Sequence, residues 1–237
     1  MARFIYLRRK ERGGVIISES RRFVFIHNPK AGGTTARSAL MRFDTTDHFF
    51  WFFHEVNGKQ IDKAHMPMHV FRQAFPGYFA LLRESFTFML VRDPYTRAVS
   101  AFNETNPDLL EAVHMAADGA AARALYLEKL NEFIGSITSG NISGWQFPYR
   151  HAVRQRDMAY LGPKCLVDCI VKLENIEQTS RKLEVFDPEL RRIMLATPKE
   201  NVKSGSLPVR DVLSPASVKN INEVYRDDFY LFDYEMW

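Results

Sequence analysis

No stretch of the 237-residue sequence is apolar for long enough to cross a bilayer. The N-terminal MARFIYLRRKERGG meets charge after a short apolar run and lacks the core of a secretory signal. The expectation is a cytoplasmic protein, peripheral at a membrane if its substrate is lipid-linked. Cysteine is scarce: Cys165 and Cys169, both inside CLVDCIVKL, are the only two. Read as one strand, that run sets them on one face with Cα atoms roughly 13 Å apart, too far for a disulfide. One pair is also a poor zinc signature. Both are therefore expected as small buried residues in a reducing compartment. The net charge is only +4, and no basic stripe is interleaved with aromatics. That argues against nucleic acid and leaves room for an anion of modest size. Internal repeats, low-complexity tracts and linkers are absent as well, so one domain over residues 1–237 is expected, with 1–22 as an N-terminal extension and 23–234 as the core.

What is present suits a packed globular protein: 46% hydrophobic and 25% charged residues. Three runs read as buried strands, FVFIH (23–27), FTFMLV (86–91) and VDCIVKL (167–173). Helical stretches separate them: TTARSALMRF, MHVFRQAF closed by Pro76-Gly77, a helix opened by Asp93 and Pro94, and the region 107–135, broken near Asp118-Gly119. NIEQTSRKLEVF and SPASVKNINEVYRDDFYLF follow, the latter starting at Ser214-Pro215 with Val218, Ile221, Tyr225 and Phe229 at helical spacing. Strands apolar on both faces that alternate with helices predict an α/β fold of three layers, a central parallel sheet flanked by helices.

Two of the strands run into residues suited to an anion. After the first comes NPKAGGTT, where Gly32 and Gly33 let backbone approach closely and Thr34 and Thr35 add hydroxyls and first-turn N–H groups. Lys30 adds a point charge. The lysine precedes the glycines, the reverse of the triphosphate loop, and no magnesium aspartate stands out. On the residues alone, a plain strand–turn–helix junction remains an equal reading. After the second strand comes RDPYTRAVSAF. Arg92 lies just past the strand's carboxyl end, where α/β folds bind ligands. Asp93, Arg97 and Ser100 share one helix face, so Arg92 and Ser100 can meet one anion, while Arg97 is expected to pair with Asp93.

With both motifs in hand, the chain resembles the sulfotransferases that use 3′-phosphoadenosine 5′-phosphosulfate (PAPS), most of all the carbohydrate branch and its bacterial relatives. NPKAGGTT is similar to the 5′-phosphosulfate loop and RDPYTRAVSAF to the 3′-phosphate element. AHMPMH, WQFPY (145–149), VDCIVKLENI (167–176) and VYRDDFYLFDY extend the likeness over roughly 23–234. The resemblance implies a P-loop-type fold and a co-substrate, PAPS, held without metal. It implies that Lys30, Ala31, Gly32, Gly33, Thr34 and Thr35 hold the 5′-phosphosulfate, and Arg92 and Ser100 the 3′-phosphate. Its acceptor would be a carbohydrate or glycoconjugate hydroxyl. Asn28 departs from many relatives at its position.

In-line sulfuryl transfer needs a general base for the acceptor hydroxyl. His65, in DKAHMPMH, matches the family's base; read without the family, such a histidine is more often a partly buried structural one. His65 and His69 have a metal-like spacing, but Pro67 lies between them and no glutamate accompanies them, so no metal is expected there. His54 and His48 are reserves, and His27 is placed to orient the loop. The run FFWFF (49–53) is expected mostly in the core, with stacking on a sugar as the functional alternative. Lys203 lies in NVKSGS, which reads either as a loop that closes over the nucleotide, with Lys203 near a phosphate, or as a plain solvated loop, and Glu174 is expected as an anchor of neighbouring loops. Two rivals stay open: a P-loop nucleotide kinase or NTPase requiring magnesium, and a catalytically silent nucleotide- or carbohydrate-binding protein.

Overall fold

The structure, a computed structural model, describes residues 14–51, 53–56, 59–115, 119–142, 147–196 and 208–237. In chain order, β1 (Ile16–Ser18) and β2 (Phe23–Ile26) precede α1 (Gly33–Leu40), and β3 (Phe53–Val56) pairs with β4 (Lys59–Asp62) as a hairpin. Then come α2 (Met68–Ala74), α3 (Pro76–Glu84), β5 (Phe86–Val91), α4 (Pro94–Thr105), α5 (Pro107–Met115), α6 (Ala120–Ser136) and α7 (Gln155–Ala159). The short pair β6 (Tyr160–Leu161) and β7 (Lys164–Cys165) leads into β8 (Cys169–Lys172). The chain closes with α8 (Ile176–Thr179), α9 (Arg181–Phe186), α10 (Pro188–Ala196), α11 (Val209–Val212), α12 (Pro215–Val224) and α13 (Arg226–Leu231).

The central sheet has the order β1-β2-β5-β8. The three strands expected from apolar runs are its three parallel members, with Phe25 opposite Phe88 and Met89 opposite Ile170. β2 is apolar and β5 nearly so because both faces are covered, whereas β8 alternates, with Cys169 and Val171 buried and Ile170 and Lys172 partly exposed. Alternate residues Val24, Ile26, Met89 and Val91 pack with Phe71, Phe75 and Phe79 of the α2–α3 side. Phe23, Phe25, Phe88 and Leu90 face the other way, against Ala36 and Leu40 of α1 and Leu190 and Met194 of α10. Burying one such side chain contributes about 1.5–3 kcal/mol, so the sheet fixes the two strand tips that carry the motifs. A third apolar cluster joins Tyr95, Val99 and Phe102 of α4 to Leu130 and Ile134 of α6 and to Ile221, Tyr225 and Phe229.

Several expectations change. The sheet begins upstream of residue 23: Ile16 and Ile17 are fully buried in β1, an antiparallel edge strand of three residues. Cys165 and Cys169 do not share a strand. Asp168 bends the chain between β7 and β8, its Oδ2 accepting from the Thr87 amide at 2.8 Å while its own amide donates to the Thr87 carbonyl. Cys165 is consequently exposed, Cys169 is buried, and both are free thiols. Pro76 closes one helix by opening the next. Ser180 and Tyr225 each split what reads as one helix into two. In the aromatic run, Phe50 is fully buried against Phe71, Phe75 and Tyr78, whereas Phe53 is 38% exposed. Asp118 lies outside the described residues. Among the described residues, no helix is long and apolar enough to cross a membrane.

Candidate functional site

At the tip of β2 the chain turns through His27–Gly32 into α1. Gly32, the residue before the helix, is left-handed at φ 77°. Lys30 also has positive φ, 60°, a strained backbone for a residue with a Cβ. Gly33 is required by its neighbour: a Cβ there would stand 2.3 Å from Cδ2 of the buried His27 ring. This crowding presents the first amides of α1 at the surface of the turn. The side-chain hydroxyls of Thr34 and Thr35 make no hydrogen bond among the described residues.

The tip of β5 lies beside this turn. Asp93 caps α4, its side chain accepting from the Thr96 amide at 2.8 Å, as the Asp-Pro pair predicts. Arg92 donates through Nε to Thr96 Oγ1 (3.1 Å) and through Nη1 to the Lys30 carbonyl (3.4 Å). Lys30 in turn reaches across to α4, with Nζ 2.9 Å from Glu104 Oε2. Glu104 and Ser100 are one helical turn apart, and the Ser100 hydroxyl also makes no hydrogen bond among the described residues. The two motifs thus face one another across a single corner.

A residue with no motif value holds that corner together. Gln155, fully buried at the start of α7, accepts at Oε1 from Asn28 Nδ2 (2.8 Å) and from the Arg92 amide (2.9 Å). Its Nε2 donates to the Arg92 carbonyl at 2.8 Å. Asn28 also donates to the Leu90 carbonyl at 2.9 Å and so ties the β2 tip to the β5 tip. Gln155 is itself fixed by Asp228, whose oxygens accept from the amides of Gln155 (3.0 Å) and Arg156 (2.8 Å). Burial pushes the Asp228 carboxyl up to about 6, against the opposing pull of Arg97.

Arg97 does not pair with Asp93. It is buried, lies 3.8 Å from Asp228, donates to the His151 carbonyl at 3.4 Å and stands over the Tyr225 ring. The i, i+4 spacing failed because Asp93 is occupied as a helix cap and Arg97 points into the interior. Glu174 anchors loops, as expected, accepting from the Asp93 amide (2.8 Å) and the Tyr234 hydroxyl (2.9 Å). Burial and this carboxylate push the Tyr234 phenol far above its usual range.

His65 ends the turn after β4 and is half-buried. Its Nδ1 lies 3.3 Å from the His27 carbonyl. A carbonyl only accepts, so Nδ1 carries the hydrogen and Nε2 the lone pair. Burial, with Arg150 and Lys30 adding to it, lowers the imidazole from 6.5 to about 4, while the His27 carbonyl and Glu104 pull the other way. The ring packs 4.7 Å from that of His27 and 5.2 Å from that of His151. Asp62, His65 and His151 bring one ligand-type atom each within 4.8 Å of one another, and Arg150 Nε lies 3.5 Å from Asp62 Oδ2. His69, which has a metal-like spacing from His65 in the sequence, is exposed on α2 and outside this cluster. His48 sits near Asp44 at 3.6 Å. Lys203 lies outside the described residues.

Against known proteins, a family model described as the sulfotransferase family matches residues 14–235, from just before β1 to past α13. The chain belongs to the sulfotransferase family. Sulfate transfer is therefore its general chemistry, and the chain is an enzyme of that kind. No curated protein and no solved structure matched. Of the residues singled out from the sequence of this sulfotransferase, the glycine turn and Arg92 meet at one corner, and His65 packs against His27 of that turn. Nothing in the sequence warned of Gln155, a lone glutamine in AVRQRDMAY. Arg150 and His151 follow directly on WQFPY, a segment that the resemblance included without assigning it a role.

Proposed function

We propose that this sulfotransferase takes PAPS as donor and a hydroxyl of a carbohydrate or glycoconjugate as acceptor. The 5′-phosphosulfate lies on Ala31, Gly32, Gly33, Thr34 and Thr35, with Lys30 beside the bridging oxygen. The 3′-phosphate takes Arg92 and Ser100. The acceptor hydroxyl gives its proton to His65 Nε2 as its oxygen forms the new bond to sulfur. The bond from sulfur to the phosphate oxygen breaks in line, and adenosine 3′,5′-bisphosphate departs with the bonding pair. A sulfuryl group carries less charge than a phosphoryl group, so a lysine, amides and hydroxyls suffice for what develops on the leaving oxygen.

One observation carries this reading. The Arg92 guanidinium reaches the Lys30 carbonyl at 3.4 Å, and the Lys30 ammonium reaches the helix that bears Ser100. The two anion elements are close enough for one doubly phosphorylated nucleotide to bridge. His65, which feels the charges of both Lys30 and Glu104, borders the same space. The low basicity of its imidazole belongs to the donor-free protein. An anionic donor alongside favours the imidazolium and raises it toward the range useful for a base.

The test is ligand-dependent thermal stability. Adenosine 3′,5′-bisphosphate should raise the melting temperature, and ATP with magnesium should not match it at equal concentration. Stabilisation by ATP with magnesium alone would instead indicate a nucleotide kinase. Stabilisation by the bisphosphate with no effect of His65→Ala on transfer would remove the assigned base.

A further inference from the structure

Asp62, His65 and His151 are, among the described residues, the one group of three side chains placed to share a metal ion. Each is held by its surroundings. The Asp62 carboxylate is fixed through Oδ1, which accepts from the Ala64 amide at 3.0 Å. His65 is turned by the His27 carbonyl so that Nε2 is the ligand atom. A backbone carbonyl on the other ring nitrogen is the second-shell arrangement that metal-binding histidines use. His151 is 6% exposed, and its own carbonyl is gripped by buried Arg97. Two imidazoles and a carboxylate suit zinc-class ions far better than magnesium or calcium.

We propose that Asp62, His65 and His151 bind a divalent ion of the zinc class, with a fourth position open to water, and that occupancy silences His65 as a base. Tetrahedral bonds of about 2.0–2.2 Å place ligand atoms about 3.4 Å apart. The present separations, within 4.8 Å, close by side-chain rotation. One competitor is Arg150, whose Nε lies 3.5 Å from Asp62 Oδ2 and must swing away. The ion takes the lone pair of Nε2, so an acceptor proton has nowhere to go while it is bound. The silencing rests on the His65 assignment; the binding does not.

Cobalt(II) titration of the donor-free full chain, followed by visible d–d absorption and displaced with zinc, separates the two. One equivalent should bind with the spectrum of a four- or five-coordinate ion. Asp62→Asn, His151→Ala and His151→Gln should each weaken it by about tenfold or more. Arg150→Met should tighten it, and His69→Ala should leave it unchanged, with circular dichroism confirming that each variant folds. No cobalt spectrum, or equal affinity in the Asp62 and His151 variants, would overturn the site. In the activity arm, zinc should inhibit the wild type and inhibit His151→Gln less, each relative to its own metal-free rate. Metal bound at the site with undiminished transfer would overturn the silencing alone.

Discussion

Gln155→Met tests how the two anion elements are held together. The substitution keeps the volume of a fully buried side chain and removes its three hydrogen bonds. Asn28 Nδ2 retains the Leu90 carbonyl. The Arg92 amide and carbonyl lose the partner that both share, and each orphaned group costs about 1–3 kcal/mol. The expected destabilisation is therefore about 2–6 kcal/mol, a large part of a typical stability of about 5–15 kcal/mol. Arg92 is the residue released, so affinity for adenosine 3′,5′-bisphosphate should fall together with stability. Chemical denaturation at fixed ionic strength gives the first quantity and titration calorimetry the second. A loss below about 0.5 kcal/mol with unaltered bisphosphate affinity would refute the role of Gln155, since even ordinary surface substitutions stay within that range.

His65→Ala should reduce transfer by about 10²- to 10⁴-fold while bisphosphate binding persists, read by steady-state kinetics against calorimetry. The imidazole is lowered from 6.5 to about 4, so the donor-free protein keeps it proton-free above that value. The acid limb of kcat/KM should fall as pH drops through about 4, and the limb of kcat should lie higher because the bound donor raises the group. The unfolded chain takes up this proton below 6.5 and the folded one only near 4, so stability should decline as pH falls between them. Gly33→Ala places a Cβ 2.3 Å from the buried His27 ring; about 1–3 kcal/mol of stability should be lost and bisphosphate affinity with it. Glu104→Gln frees Lys30 from a partly exposed pair, so bisphosphate binding should tighten by no more than the ~0–1 kcal/mol such pairs hold.

Much of the scaffold can be read from the chain because burial on both faces leaves a continuous signature. FVFI and FTFMLV carry it and, with the half-buried CIVK beside them, form the parallel core of the sheet. Asp93 and Ser214 work as caps where their neighbours predict them. What escapes sequence reading depends on partners distant in the chain. β1 is three residues long and gains its meaning only beside β2. Arg97 finds Asp228, far downstream, because its helix face is turned inward. CLVDCIVKL looks like one strand until Asp168 is seen gripping Thr87 and bending it. The glycine turn and Arg92 are legible because short-range chemistry defines them. Gln155, Arg150 and His151 enter the site by tertiary folding and carry no local pattern.

The central claim, that the glycine turn and the Arg92 corner grip opposite ends of one nucleotide, is tested most directly by a ratio of affinities. Adenosine 3′,5′-bisphosphate and adenosine 5′-monophosphate differ only in the group assigned to Arg92 and Ser100. The wild type should prefer the bisphosphate by about 10- to 100-fold, the value of one or two charge-assisted hydrogen bonds. Arg92→Met should erase most of that preference, while Lys30→Met weakens both ligands alike. An Arg92→Met variant that still prefers the bisphosphate as strongly as the wild type would contradict the account.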